Sequence, residues 1–564
     1  MKILLIYPYF LEERMRDEDL RAVPMGLYSV GAVLKDHHYD VEILDWHEIH
    51  KTPDKIKEGL AKKKPDVIGF SVLHGNRWGA VEIARAAKQL KPKTKVVFGG
   101  IGATSLWEHL LTHFPEVDAV VLGEGEWTFL SLVRQFEKKD DKGIGRIGGI
   151  AYRKQGKPFK TADAEPIKDL DRLPIPAKHF TYPHVSSSRG CAWNCSFCGS
   201  PEFWGSKIRW RSPEKFVEEV EMLFQKGVSF FYFSDDTFTL KPERVVRICK
   251  RILEKNLRIS WYAISRVDQV EEEMLYWMRR AGCIQISYGV ESGSEKIRKA
   301  LAKPVKTEDI RRAFALTTRY GILSRAYFIY GAPGETWETI QETIDLMDEI
   351  KPLSAVFYIL DVFPGTKLYS DLKKKHGFTE DIWLKPIEGI MYFETDPAMK
   401  DELILAFGKK LRTAFYEKVS SYAEAIELVD RQELYPWHAD FCSRLGMTFS
   451  HGDYSKKQEV KDKLENAEKL FRKALGYFPD HRAYLGLGMV KQKRGQFKES
   501  AKILEEGLSH WPESEDLTLC LGIDSMNLGD FRAALDCFSR FPHSKTAFRY
   551  REECERALKG GARR

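Results

Sequence analysis

Twice along this 564-residue chain, short runs rich in Val, Ile, Phe and Tyr alternate with longer amphipathic stretches, and no other feature restricts the fold as much. A short apolar run leading into a helical pattern is the β/α unit of a parallel sheet, because strands covered by helices on both faces read as continuous apolar runs. The first series has strand candidates at 2–7, 40–44, 67–72, 95–98 and 119–122, with helical patterns at 26–35, 78–89 and 126–136. It predicts a doubly wound parallel sheet over 1–138. The second series, with candidates at 185–188, 230–234, 260–265, 284–290, 324–330 and 355–362, predicts a partial (β/α)6 barrel over 184–384. Between them, 139–183 is dense in Gly and Pro and is expected to be a connector wrapping between the two.

The length implies three or four domains, and 43% hydrophobic with 30% charged residues implies soluble, globular ones. No apolar run approaches a membrane span, and the run at 2–7 is too short for a signal peptide, so the expected location is the cytoplasm. Six of the nine cysteines (Cys249, Cys283, Cys442, Cys520, Cys537, Cys554) are scattered without framework spacing, which suits a reducing compartment. The net charge of +7 is small and dispersed and gives no argument for nucleic acid.

The other three cysteines stand in Ser188-Arg189-Gly190-Cys191-Ala192-Trp193-Asn194-Cys195-Ser196-Phe197-Cys198-Gly199. Cys191, Cys195 and Cys198 can bind three corners of a 4Fe–4S cluster, leaving one iron open to a small ligand. A structural zinc site is the alternative, but it prefers four closed ligands and no fourth Cys or His lies at knuckle spacing. The motif, with Phe197 before its last cysteine, resembles that of the radical S-adenosylmethionine (SAM) superfamily. That resemblance implies SAM on the open iron and reductive cleavage to a 5′-deoxyadenosyl radical. It also implies roles for the polar residues at the strand ends. Asp235 and Asp236 follow the second strand; Glu291 and Ser292 would bond the ribose or methionyl part of SAM, and Arg266 its carboxylate. For Arg266 and Glu291 a structural salt bridge is the competing explanation. Gly331-Ala332-Pro333-Gly334-Glu335-Thr336 and Pro364-Gly365-Thr366-Lys367-Leu368-Tyr369 match further signatures of the superfamily and also read as turns and helix caps.

Ligands of doubly wound sheets bind at the carboxyl ends of the strands. There the first series carries Ser71-Val72-Leu73-His74-Gly75, Gly99-Gly100-Ile101-Gly102-Ala103-Thr104 and Gly123-Glu124-Gly125-Glu126. In this order, ahead of the cysteine motif, they resemble the cobalamin-binding domain of cobalamin-dependent radical SAM enzymes. The resemblance implicates Ser71, Leu73, Gly99, Gly100, Gly123 and Glu124. The Asp-x-His-x-x-Gly motif of classical cobalamin proteins is absent, and Gly102 stands where the family often has histidine. His74 is expected to be a solvated loop histidine, with compensation for the missing one as the alternative. A flavodoxin-like domain without its cofactor is the competing reading of 1–138.

Trp261, Tyr262, Tyr288, Tyr327, Tyr330, Phe357 and Tyr358 make the barrel strands aromatic, most of them as core. After Leu384 no further strand is expected; 385–436 reads as a helical extension. In 437–558, Gly495 and Phe497 recur as Gly529 and Phe531, which resembles tetratricopeptide repeats. Such repeats imply either a protein partner or a lid on the barrel. The combined resemblance implies methylation of an unactivated carbon through methylcobalamin. Radical oxidation or cyclisation is the runner-up, and a non-catalytic cobalamin or redox sensor the third reading. A small-molecule or lipid substrate and a flavodoxin or ferredoxin as electron donor would complete the system. Nothing in the chain names the substrate.

Overall fold

The computed structural model describes residues 1–11, 24–49, 52, 54–387 and 389–561. Its first sheet holds β1 (Lys2–Tyr7), β2 (Asp40–Asp45), β3 (Val67–Ser71), β4 (Lys95–Gly99), β5 (Ala119–Val121), β6 (Ile150–Lys154) and β7 (Lys157–Lys160) in the order β2-β1-β3-β4-β5-β6-β7. β1 to β5 pair in parallel, and the order reverses between β1 and β3, so a crevice opens at their carboxyl ends. Ile3 to Ile6 are at most 1% exposed, as expected of a strand covered on both faces.

The region 139–183, expected to be a connector, supplies an antiparallel hairpin that makes this sheet mixed. Gly156 is the turn of that hairpin. Gln155 and Gly156 both take positive φ, +52° and +78°, as a two-residue hairpin turn requires. Of the glycines that suggest irregular chain, Gly156 is there to make a strand reversal.

The second sheet runs β15-β14-β13-β12-β11-β8, all parallel: β8 (His184–Val185), β11 (Phe230–Phe233), β12 (Ser260–Ser265), β13 (Cys283–Glu291), β14 (Leu323–Tyr330) and β15 (Ser354–Ile359). Strand order follows sequence order, the open barrel predicted from the second series. Thr336 stands at the N-cap of the helix after β14, its N–H bonding Thr339 Oγ1 at 2.9 Å, which fits the expected cap. Two small ribbons complete the strands: β9 (Ser188–Arg189) with β10 (Arg209–Trp210), and β16 (Asp361–Val362) with β17 (Ile390–Met391). β17 falls beyond Leu384, where no strand was expected. Two residues carry no periodicity to read, and the strand exists only because β16 offers it an edge.

The rest of the described chain is helical. A helix over Asp401–Glu424 packs on the barrel, and hairpins of helices follow from Tyr435. The helix starts His481 and Phe497 recur thirty-four residues later at Glu515 and Phe531, each pair joined through a glycine of positive φ, Gly495 or Gly529. One continuous core runs from the barrel into this region through Leu445, Phe471 and Val490, whereas the distal hairpins have small clusters of their own around Leu504 and Phe538. The expected boundary at 437 therefore cuts through shared core. Fully buried Arg279 of the barrel bonds Trp437 O at 2.6 Å and Asp440 Oδ2 at 2.8 Å across that line.

Candidate functional site

The carboxyl ends of both sheets open onto one cavity of about 1210 Å³. Its cobalamin-domain wall includes all six residues proposed there: Ser71, Leu73, Gly99, Gly100, Gly123 and Glu124. Two of the glycines are required by geometry. Gly100 has φ +93°, and a Cβ on it would come 2.8 Å from Val72 O; Gly123 has φ +67°, and a Cβ there would meet nothing within 4 Å. The first lets two loops meet and the second leaves bare backbone facing open space, a cradle suited to a bulky cofactor.

His74 departs from expectation. It lines the cavity but is 5% exposed, and neither ring nitrogen has a hydrogen-bond partner. Burial lowers its pKa to about 3, so the ring is neutral. The loop is drawn inward by Leu73 N–H bonding Asn76 Oδ1 at 2.7 Å and by stacking of the imidazole on Phe363 at 5.3 Å. Gly102 makes this packing possible, since a Cβ there would lie 2.6 Å from the carbonyl carbon of Leu73.

On the barrel side the cysteine loop follows β9. Its backbone is pinned twice, Ser196 N–H to Leu301 O at 3.0 Å and Leu368 N–H to Ser196 O at 2.8 Å. Cys191, Cys195 and Cys198 are free and half-buried, and Phe197 and Cys198 line the cavity. Burial pushes Cys198 up to about 11 and raises Cys195 as well, while the charges of Lys303 and Arg266 oppose the rise at Cys195. A trio of thiols with two buried cations beside it is a fitting donor set for an anionic iron–sulfur cluster.

The strand-end residues divide. Glu291 lines the cavity with its backbone at φ +64°, a left-handed conformation that costs energy for a side chain of this size. Its Oε1 accepts from Lys303 Nζ at 2.7 Å, and Gly289 leaves room for the pair. Burial alone would lower the Lys303 ammonium, but Glu291 outweighs it and holds it above its ordinary value. Ser292 is turned away, its Oγ 3.2 Å from Thr343 Oγ1 and accepting from Ser294 N–H. Arg266 also does not reach the cavity wall. It forms two bonds to Asp268, at 3.0 and 2.9 Å, and lies 3.9 Å over the Trp193 ring of the cysteine loop. Asp235 is fully sequestered, accepting from Ser187 N–H at 3.1 Å, Ser187 Oγ at 2.8 Å and Ser188 Oγ. Its neighbour Asp236 lines the cavity instead and accepts from Ser200 Oγ at 2.6 Å.

One constellation escaped the sequence reading. Arg189, inside the cysteine motif, crosses to the other domain and pairs with Glu124 at 2.5 Å and with Glu126; Arg209 also reaches Glu124, at 2.5 Å. Burial would raise Glu126, yet Arg189 outweighs it and holds the carboxyl below its usual range. The partners are far apart in sequence, so no local signal links them. Of the barrel aromatics, Trp261, Tyr288 and Tyr330 are core, whereas Tyr327, Phe357 and Tyr358 face the cavity.

The radical SAM superfamily profile matches residues 185–347 and the B12 binding domain profile matches residues 19–133. The chain is 31% identical to an uncharacterized methyltransferase of Pyrococcus horikoshii over 74% of its length and 92% of that relative's. It is 30% identical to an anaerobic magnesium-protoporphyrin IX monomethyl ester cyclase of Rubrivivax gelatinosus over 62% of this chain and 66% of the cyclase. Among solved structures it resembles the radical SAM methyltransferase TsrM of Kitasatospora setae, with a TM-score of 0.57 at 20% identity over 66% of this chain and 76% of that one, a likeness of fold.

Proposed function

The chain belongs to the radical SAM enzymes that carry a cobalamin-binding domain, and on that premise we propose that it methylates an unactivated carbon of a small molecule or lipid held in the interdomain cavity. When bound, the 4Fe–4S cluster with SAM supplies a 5′-deoxyadenosyl radical, and cobalamin carries the methyl group. The chain's own residues do the rest. Cys191, Cys195 and Cys198 would hold the cluster, and Lys303 and Arg266 would offset negative charge there, as they oppose the rise at Cys195. Glu291, fixed by Lys303 and by its strained backbone, presents carboxylate oxygen to the hydroxyls or ammonium of SAM. Arg266, with Nε and Nη2 engaged by Asp268, keeps its remaining N–H donors for the SAM carboxylate. Ser71, Leu73, Gly99, Gly100 and Gly123 offer backbone and small side chains to the corrin. Tyr327, Phe357 and Tyr358 line the cavity with aromatic surface that excludes water from the reacting carbon. A flavodoxin or ferredoxin supplies electrons, and the distal helical hairpins offer a surface for a protein partner.

The observation that carries this reading is the single cavity shared by both sets of loops, since methyl transfer between two cofactors needs them to face one substrate. The similarity to a cyclase favours a second outcome with the same cofactors, oxidation or ring closure without methyl transfer. The test is anaerobic reduction of the reconstituted protein with SAM and cobalamin. Expected products are 5′-deoxyadenosine together with S-adenosylhomocysteine and methylcobalamin, with 5′-deoxyadenosine lost when the three cysteines are replaced by Ala. Deoxyadenosine without the other two would favour the second outcome. An iron-loaded protein that makes neither nucleoside would sink both.

A further inference from the structure

Outside this cavity, two histidines and a carboxylate converge where the cobalamin domain meets the chain that follows the barrel. His109 and His113 stand one turn apart on the helix Trp107–His113, so both project on the same side. Their ring centroids are 4.8 Å apart with no hydrogen bond between them. Asp381 comes from the short helix Glu380–Leu384, and its Oδ1 lies 3.8 Å from His113 Nε2. One potential ligand atom from each of the three residues lies within 4.8 Å of the other two. His109 is only 6% exposed and its Nε2 has no partner, a buried polar atom whose desolvation nothing in the protein repays. Asp381 is already oriented, since its Oδ2 accepts from Thr379 Oγ1 at 3.1 Å, leaving Oδ1 toward the histidines.

We propose that His109, His113 and Asp381 bind a divalent ion of the zinc class, which clamps the cobalamin domain to the segment that follows the barrel. Two imidazoles and one carboxylate suit zinc-like ions, with water as the fourth ligand. The Thr379 hydroxyl supports the carboxylate, as outer partners of metal ligands do. The position gives the clamp a purpose. The same segment is also held by Arg77, which bonds Ile387 O at 3.1 Å and lies 4.9 Å over the Trp383 ring. Directly after it, Pro386, Ile387, Gly389 and Met391 form part of the cavity wall. An ion at His109, His113 and Asp381 fixes the start of that wall relative to the corrin-binding loops.

His113 and Asp381 are exposed, so His113→Ala and Asp381→Asn leave the core untouched. Zinc chloride is titrated calorimetrically into the full chain and into each variant, all carrying the same nine cysteines, and thermal unfolding is followed with and without zinc. The wild type is expected to show a binding event weakened at least tenfold in each variant, and a zinc-dependent rise in Tm that both variants lose. Equal zinc stoichiometry, affinity and Tm response in all three proteins would overturn the proposal. Neither outcome depends on SAM cleavage or cobalamin, so a failure here is separate from a failure of the enzymatic reading.

Discussion

Glu335 shows how much a single loop residue can report. It is expected as part of a superfamily signature that also reads as a turn, and its carboxyl is buried and folds back to accept from the N–H groups of Gly331 and Ala332, with burial raising its pKa to about 7. A carboxyl whose folded pKa lies above its unfolded value binds more protons when folded. Its contribution is therefore present below about pH 4.5 and is lost as pH rises to about 7. Glu335→Gln keeps an acceptor for the two N–H groups and removes the titration. The variant should gain about 2 kcal/mol on the wild type between pH 5 and pH 8, taking about 1.4 kcal/mol per pH unit with a discount for relaxation. Thermal unfolding at the two pH values measures this, and a difference that does not change with pH would count against the buried, protonated state.

Among elements, the ribbon β9–β10 joins the domains as well as leading into the cysteines. Arg189 on β9 and Arg209 on β10 reach the loop after β5, where Glu124 stands and Glu126 starts the next helix. Removing one member of a buried pair leaves the other uncompensated, at a cost of about 3 kcal/mol. Arg189→Met strands Glu126, while Glu124 keeps Arg209. The loop carrying Gly123 should loosen, weakening cobalamin binding about tenfold with iron content unchanged, because the cysteine loop is pinned separately at Leu301 and Leu368. Spectroscopic titration with hydroxocobalamin measures the affinity. An unchanged affinity would mean the pairs hold the domains together without shaping the site.

For the whole molecule, the helical region is two things rather than one appended domain. Its first hairpin and the helix His481–Lys493 share the barrel's core, and the first hairpin secures Arg279 through Trp437 and Asp440; Tyr454 Oη donates to Leu353 O at 2.6 Å. The helices beyond Lys493 pack around separate clusters at Leu504 and Phe538. Removing 513–564 should leave a soluble protein that still takes up iron and cobalamin and cleaves SAM. Removing 436–564 should produce aggregate, because it exposes barrel core and leaves Arg279 buried without its carboxylate. Size-exclusion chromatography with 5′-deoxyadenosine assay distinguishes these outcomes, and a soluble, active product from the longer deletion would show that the shared core is dispensable. Among the described residues no helix is long and apolar enough to cross a membrane.

The sequence alone determined both parallel sheets, because strands buried on two faces must read as apolar runs, and it located the cysteine loop and the glycine loops that face the cavity, because those depend on local spacing and backbone freedom. It also marked the thirty-four-residue spacing of the helical hairpins. What only the tertiary structure decided are matters of which distant groups meet. The connector became a hairpin because β5 had an edge to extend, and His74 became buried because Gly102 and Phe363 close over it. Arg266 is held by Asp268, Asp236 rather than Asp235 faces the cavity, and Arg189 crosses to Glu124 and Glu126. Except for the Arg266–Asp268 pair, which is local, these outcomes depend on desolvation and pairing between segments far apart in the chain, and such contacts leave no periodic trace in either partner.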